Sequence, residues 1–477
     1  MRGRRNGGGI LRFISERGIG DFGIKTIQAR CTHAHPYMTM NERNETMMKK
    51  LFALLLTVMM FMSTAALAEY GDNPTGKVIE WSQGEKVMKH EKQVVAEVFP
   101  ELEYDYVLVN NNDFLTKLMA AVASNLDVPD IISCEVSNRG ALFAMDILED
   151  LEADPYNYDR NEIIDAVLPG LLDSEGRLVS LDNQYCPSGF VYRVDLTEKY
   201  FGVTEPEDVY ELIKDWDSFI ATGLKLKEAA NGEVFMMQSV ADLAEMICGQ
   251  TNAEFIDGDN IDITGRYLAA FETAKKIQDA GVPLGLNEKN STNWNAAYTN
   301  GSVIFFNHAS WSTNSCIASN DPEKVTEGLW RFCQCPETSW LNGGTSQGIY
   351  SGSQNKEGAW GFIKYFKGTT EGYDSIYEQI GWIPSFKSFY EGENSPIRGD
   401  FLYSKWYDGQ NICAYIYDNI GTNVAPYETF TQYSTTVSNV VKDARLQMMI
   451  NPNLTAQELV DYVIENVRIL EPTANVF

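Results

Sequence analysis

The chain has 477 residues, 44% of them hydrophobic and 22% charged, with a formal net charge of −28 at pH 7. Such a length accommodates about two to three domains, and the apolar fraction excludes disorder across most of the chain. The excess of acid opposes nucleic acid and disfavours polyanionic ligands, while favouring solubility.

In chain order, the first organised segment is an export signal. Met47-Met48-Lys49-Lys50 is basic, Leu51 to Met62 is apolar, and Ala66-Leu67-Ala68 has the small-x-small form of a cleavage site. The expected signal peptide is 47–68 and the expected mature start is Glu69. The apolar run is short for a membrane span, and no Leu-x-x-Cys box accompanies it, so no lipid anchor is expected. Residues 1–46 are basic and stand upstream of a complete signal, which makes them an expected start-site artefact. Seven of the eight cysteines follow the cleavage site, an odd number without zinc spacing; buried thiols are expected, with one or two disulfides open.

Val78 to Trp81 predicts a strand and Lys86 to Phe99 an amphipathic helix. Tyr104 to Val109 predicts a second strand. Asp113 is the expected N-cap of a helix through Phe114, Leu118 and Val122, and Ile131-Ile132 predict a third strand. The β-α-β-α-β order implies a parallel sheet, whose ligands gather at the carboxyl ends of its strands. Further helices are expected over 140–151, 162–172, 196–201 with a Gly202 stop, 216–230, 241–248 and 265–280. Gly301 to Phe306 predicts a buried strand running into a polar loop, Asn307 to Trp311. Leu329 to Cys333 and Gly343 to Tyr350 predict two more strands. Helices follow over 358–366, 430–449 and 455–470, the last opened by Thr455 with Glu458 three residues on; 385–430 stays unassigned.

Five segments in this order carry a resemblance. They are Lys117-Leu118 through Pro129-Asp130-Ile131; Gly176-Arg177 through Tyr192-Arg193-Val194-Asp195-Leu196; Gly301 through Trp311; Ser353-Gln354-Asn355-Lys356-Glu357 through Tyr365; and Thr455 to Glu458. Together the chain resembles an extracellular solute-binding protein of family 1, the sugar-binding, maltose-binding-protein-like component of an ABC importer. It departs from the family pattern at Arg193, where asparagine is usual, and at His308-Ala309-Ser310 before Trp311. The resemblance implies an α/β, two-lobed periplasmic-binding-protein-like fold (type II), each lobe a mainly parallel sheet flanked by helices. The implied lobes are 76–183 with 336–368, and 186–332 with 372–477, hinged near 183–185, 333–336 and 367–370. It further implies an exported monomer, periplasmic or at the cell surface, that closes on a neutral mono- or oligosaccharide and delivers it to a membrane permease.

A neutral sugar asks for aromatic faces against its C–H surfaces and planar polar groups for its hydroxyls. Trp81, Tyr185, Trp311, Trp340 and Trp382 fall at strand ends or loops and are stacking candidates, core packing being the alternative for each. Gln83, Glu85, Asn112, Asp113, Glu135, Asn138 and Asn307 are the polar candidates. Trp216 and Trp360 lie within helical patterns and belong to the core. Asp257 to Asp262 lacks the register of a calcium loop, and no phosphate loop, dinucleotide fingerprint or hydrolase elbow is present, so no cofactor, metal or catalytic residue is expected. The alternatives are a secreted glycan-active hydrolase, which needs two carboxylates spanning a sugar, and a binder of another solute.

Overall fold

The structure is a computed structural model and describes residues 69–477 except 252–253, 287 and 394. The expected signal peptide and the segment before it lie outside the described residues.

The first sheet is built on the strand Gly76–Ser82. It pairs in parallel with Leu102–Leu108 on one side and with Ile131–Glu135 on the other. The helices Glu85–Val98 and Asn111–Ser124 make the crossovers. Thr345–Ile349 then enters antiparallel beside Ile131–Glu135, and Leu181–Asp182 closes the five-stranded sheet. The sheet is therefore mixed: its first three strands are parallel as expected, but the strand arriving from the far side of the molecule runs the other way. The pleat buries Val78, Glu80 and Ser82 on one face. Glu80 is accommodated there because Tyr104 Oη and Gln347 Nε2 donate to it at 2.7 and 2.9 Å. The helix Lys356–Gly368 covers this face, stacking Phe362 on Tyr104 with centroids 4.4 Å apart.

The second sheet centres on Gly189–Arg193, flanked antiparallel by Phe305–His308 and Trp330–Cys333. All five residues of the central strand are buried because both faces are covered. Phe190 and Tyr192 enter a core beneath the helices Trp216–Ala229, Ile263–Ala280 and Ala456–Leu470. Val191, Phe306, Trp330 and Phe332 enter the opposite core, which reaches Val78 through the aromatic segment 373–420.

Several local expectations change. Asn110, not Asp113, caps the second crossover helix, accepting from the Asn112 N–H. Of 140–151 only 140–143 is helical, in the short helix Arg139–Phe143 that ends before Asp146 at φ 51°, and 162–172 contributes only to 3-10 turns around Pro169-Gly170. Asn307 and His308 are not loop residues but buried members of a strand. A helix absent from the sequence reading, Thr370–Ile380, follows Thr369, and 385–423 is a succession of short 3-10, α and π turns. Residues 256–261 are a small hairpin. All seven described cysteines are free thiols, so neither of the disulfides left open is formed among them. Among the described residues no helix is long and apolar enough to cross a membrane.

Candidate functional site

Two adjoining cavities of about 290 and 610 Å³ lie where the carboxyl end of Ile131–Glu135 faces the helices Val240–Gly249 and Ser434–Ile450. Their walls share Glu135, Ser137, Glu245, Lys289, Ser438 and Arg445, so they form one cleft with two compartments. The smaller compartment is aromatic, with Tyr267, Trp340, Tyr427 and Phe430 beside Asn342 and Arg266. The larger is polar, with Asn111, Asn112, Asn138, Ser239 and Lys442, and Trp294 as its aromatic residue.

On one wall, Glu135 ends its strand and caps the turn that follows, accepting from Ser137 N at 3.0 Å and from the Ser137 hydroxyl. Asn111 Nδ2 also donates to it at 3.3 Å, and Asn138 Nδ2 donates to Asn111 Oδ1 at 2.8 Å. These bonds fix three planar polar groups at the sheet edge. On the opposite wall, Lys289 Nζ donates to Asp242 Oδ1 at 3.1 Å and stands 3.8 Å from Glu245, while Arg445 lies 3.2 Å from the other Glu245 oxygen. Burial opposes ionisation of Glu245, but Arg445 and Lys289 outweigh it and hold its pKa down to about 2. Asp242, above all, holds the Lys289 ammonium above its ordinary range.

The aromatic compartment is braced from behind. Trp340 packs on Gly249, the last residue of its helix. Tyr427 donates to Gly343 O, and the Arg139 guanidinium lies 5.3 Å from its ring centroid. Arg139 forms a fully buried ion pair with Asp182 and donates to Gly170 O at 3.1 Å. His308 is buried with Tyr298 Oη 3.0 Å from its Nε2; burial pushes its pKa down to about 3, so the ring is neutral.

Of the sequence-derived candidates, Asn112, Glu135, Asn138 and Trp340 line the cleft. The others lie elsewhere. Asp113 is exposed in the first turn of its helix, 3.5 Å from Lys117. Trp81 is half-buried against the Phe114 and Leu118 cluster, because its strand is separated from the cleft by Ile131–Glu135. Gln83 has a buried Nε2 without a partner, and Glu85 pairs on the surface with Lys89 at 2.6 Å. Tyr185 is a core residue donating to Gly421 O at 3.4 Å. Asn307 is buried in its strand, accepting from Ser188 Oγ. Trp311 stands behind the wall, its indole donating to Asn342 O at 3.0 Å. Trp382 packs half-buried on the core that contains Val78.

Sequence reasoning missed Asp242, Glu245, Arg266, Lys289, Tyr427 and Arg445. Two signals were available. Ser434, Ser438, Val441 and Arg445 recur at helical spacing on one face. Arg266 falls on the stripe otherwise formed by Ile263, Tyr267, Ala270 and Ala274.

The bacterial extracellular solute-binding protein model SBP_bac_8 matches residues 101–398. No curated protein matches the chain. Among solved structures, an extracellular solute-binding protein of family 1 is similar at TM-score 0.72 and 17% identity, over 83% of this chain and 99% of that one. The sugar-binding protein MalE of Xanthomonas citri is similar at TM-score 0.67 and 15% identity, over 83% and 98%. The galacto-N-biose/lacto-N-biose I-binding protein of a Bifidobacterium longum ABC transporter is similar at 0.66 and 17%, over 85% and 100%. The two-lobed fold of these binding proteins is that of this chain, and with a family model spanning more than half its length, the chain belongs to the bacterial extracellular solute-binding proteins.

Proposed function

We propose that the protein captures a mono- or oligosaccharide in the cleft and hands it to the permease of an ABC importer, without chemical change to the ligand. One observation carries the reading: the aromatic side chains of Trp340 and Tyr427 line the same space as the planar polar groups of Asn342, Glu135 and, further along, Asn138. Those are the two demands of a sugar, apolar cover for its C–H faces and directed partners for its hydroxyls. The sugar ligands named for the similar solved proteins agree with it.

In this reading the lobes are 76–183 with 336–368, and 186–332 with 372–477, hinged near 183–185, 333–336 and 367–370. Next to two of those crossings the proposed lobes touch: Ser188 N donates to Trp340 O at 2.8 Å and Ser339 Oγ to Ser188 O at 2.6 Å. Tyr373 Oη, beyond the third, donates to Asn183 O. Trp340, just beyond the second crossing, touches Ser188 of the other lobe and lines the cleft, so a sugar stacked on it favours one arrangement of the lobes, and the closed form presents itself to the permease. We place the protein outside the cytoplasmic membrane as a monomer.

A thermal-shift screen across mono- and oligosaccharides, followed by small-angle scattering with the best ligand, tests this. A raised melting temperature, a smaller radius of gyration and an unaltered sugar are expected. Release of hydrolysis products by the pure protein would instead favour a glycan-active enzyme.

A further inference from the structure

We infer that the saccharide taken by this cleft carries a carboxylate, which docks on Arg266; this rests on the sugar-binding reading above and narrows it. Arg266 is in the first turn of the helix Ile263–Ala280 and only 9% exposed. Its guanidinium lies beside the rings of Phe255 and Tyr267, with centroids 5.6 and 5.4 Å away. Nε and Nη1 are buried and have no hydrogen-bond partner among the described residues. The neighbouring carboxylate, Glu428, stands 3.9 Å from Nη2, beyond a hydrogen bond. A guanidinium does not give up its proton, and Glu428 balances this one's charge from a distance without filling its N–H donors. It borders the compartment that holds Trp340 and Tyr427. A planar carboxylate matches its fork of N–H groups, and the flanking rings hold the fork in plane.

The charge of the cleft gives independent support. Its walls carry Arg266, Lys289, Lys442 and Arg445 against Glu135, Asp242, Glu245 and Glu428. The first 68 residues hold ten of the chain's 38 Lys/Arg and four of its 66 Asp/Glu, leaving 28 bases against 62 acids in residues 69–477. Parity inside the cleft therefore contrasts with a more than twofold acid excess over the exported chain. Three of the four acids are already engaged, Glu135 by Ser137 and Asn111, Asp242 by Lys289, and Glu245 by Lys289 and Arg445, which leaves Arg266 and Lys442 against Glu428 alone. An anion that the outer surface repels meets a far weaker opposing field here.

Calorimetric titration of the exported protein with uronic acids and short oligouronates, each beside its neutral parent sugar and a sulfated analogue, tests the inference. At least one uronate is expected to bind ten-fold or more tightly than its neutral parent, with affinity falling as salt is raised. Arg266→Gln is expected to bring the affinities for a uronate and its neutral parent to within about twofold of each other, and Arg266→Lys to restore part of the difference. Wild-type protein that binds neutral or sulfated sugars as tightly as uronates would overturn the inference and leave the sugar-binding reading standing; this comparison needs no variant to fold. A preference that survives in Arg266→Gln would also overturn it. Failure of the whole panel to bind would overturn both.

Discussion

A Cβ added to Gly249 would lie 2.3 Å from Cε3 of Trp340, so the indole occupies the space any side chain at 249 would need. The helix Val240–Gly249 thereby sets the ring that covers the aromatic compartment. Gly249→Ala is expected to displace the indole, destabilise the protein by about 1–3 kcal/mol and weaken sugar binding. Trp340→Ala is expected to weaken binding about tenfold or more, roughly 1.4 kcal/mol. Trp311→Ala, one layer behind the wall, is expected to cost less. Calorimetry on the three variants ranks them, and equal losses at 311 and 340 would remove Trp340 from its special place.

The Arg139–Asp182 pair is fully buried and braces Tyr427. Asp182→Ala leaves a buried guanidinium without its counter-charge, and a loss of about 3–5 kcal/mol is expected by urea unfolding. The double variant Arg139→Met with Asp182→Leu is expected to recover much of that loss, because the unpaired charge is gone. A double variant no more stable than Asp182→Ala would contradict this account.

Glu80 makes stability depend on pH. Burial, joined by the charge of Glu91, pushes its pKa up to about 7, against the hydrogen bonds of Tyr104 and Gln347 and the charge of Lys367. The folded protein therefore holds a proton that the unfolded chain, with an ordinary value of about 4.3, releases. The resulting stabilisation is complete below that ordinary value and is lost as pH rises through about 7. Glu80→Gln is expected to flatten unfolding free energy between those limits relative to wild type, measured by urea titration at a series of pH values. An unchanged profile would place the titrating group elsewhere.

Six of the seven described cysteines are buried and only Cys316 is half-buried. Burial pushes the Cys413 and Cys333 thiols well up and Cys248 to about 11, which keeps them protonated and unreactive. Among the described cysteines, native protein is expected to react with a thiol reagent at Cys316 alone, and a reductant is expected to leave the melting temperature unchanged. Mass mapping of labelled peptides checks the first, and a reductant-dependent melting shift would reveal a disulfide.

The fold was legible where local chemistry decides it. Thr455 and Glu458 form the capping box read from their spacing, and Gly202 stops the helix Val194–Phe201 at φ 74°. The strand Phe305–His308 was misjudged at its end because both its faces are buried, and polarity at Asn307 and His308 is satisfied by Ser188 and Tyr298 from distant positions. The helix Thr370–Ile380 is not legible in the sequence because Gly372, a poor helix former, sits where its backbone closely approaches Tyr365 O. The cleft was half legible. Asn112, Glu135 and Asn138 follow from the rule that ligands gather at strand ends. The opposite wall is assembled from residues 242, 245, 266, 289 and 445, which only tertiary packing brings together.

The most direct test of the account is titration of the exported protein with saccharides while its shape is followed by small-angle scattering, in wild type and Trp340→Ala. The account expects one sugar per chain, a decrease in radius of gyration on binding, and loss of both in the variant. Binding that proceeds at wild-type strength in Trp340→Ala, or sugar that binds with no change of shape, would contradict it.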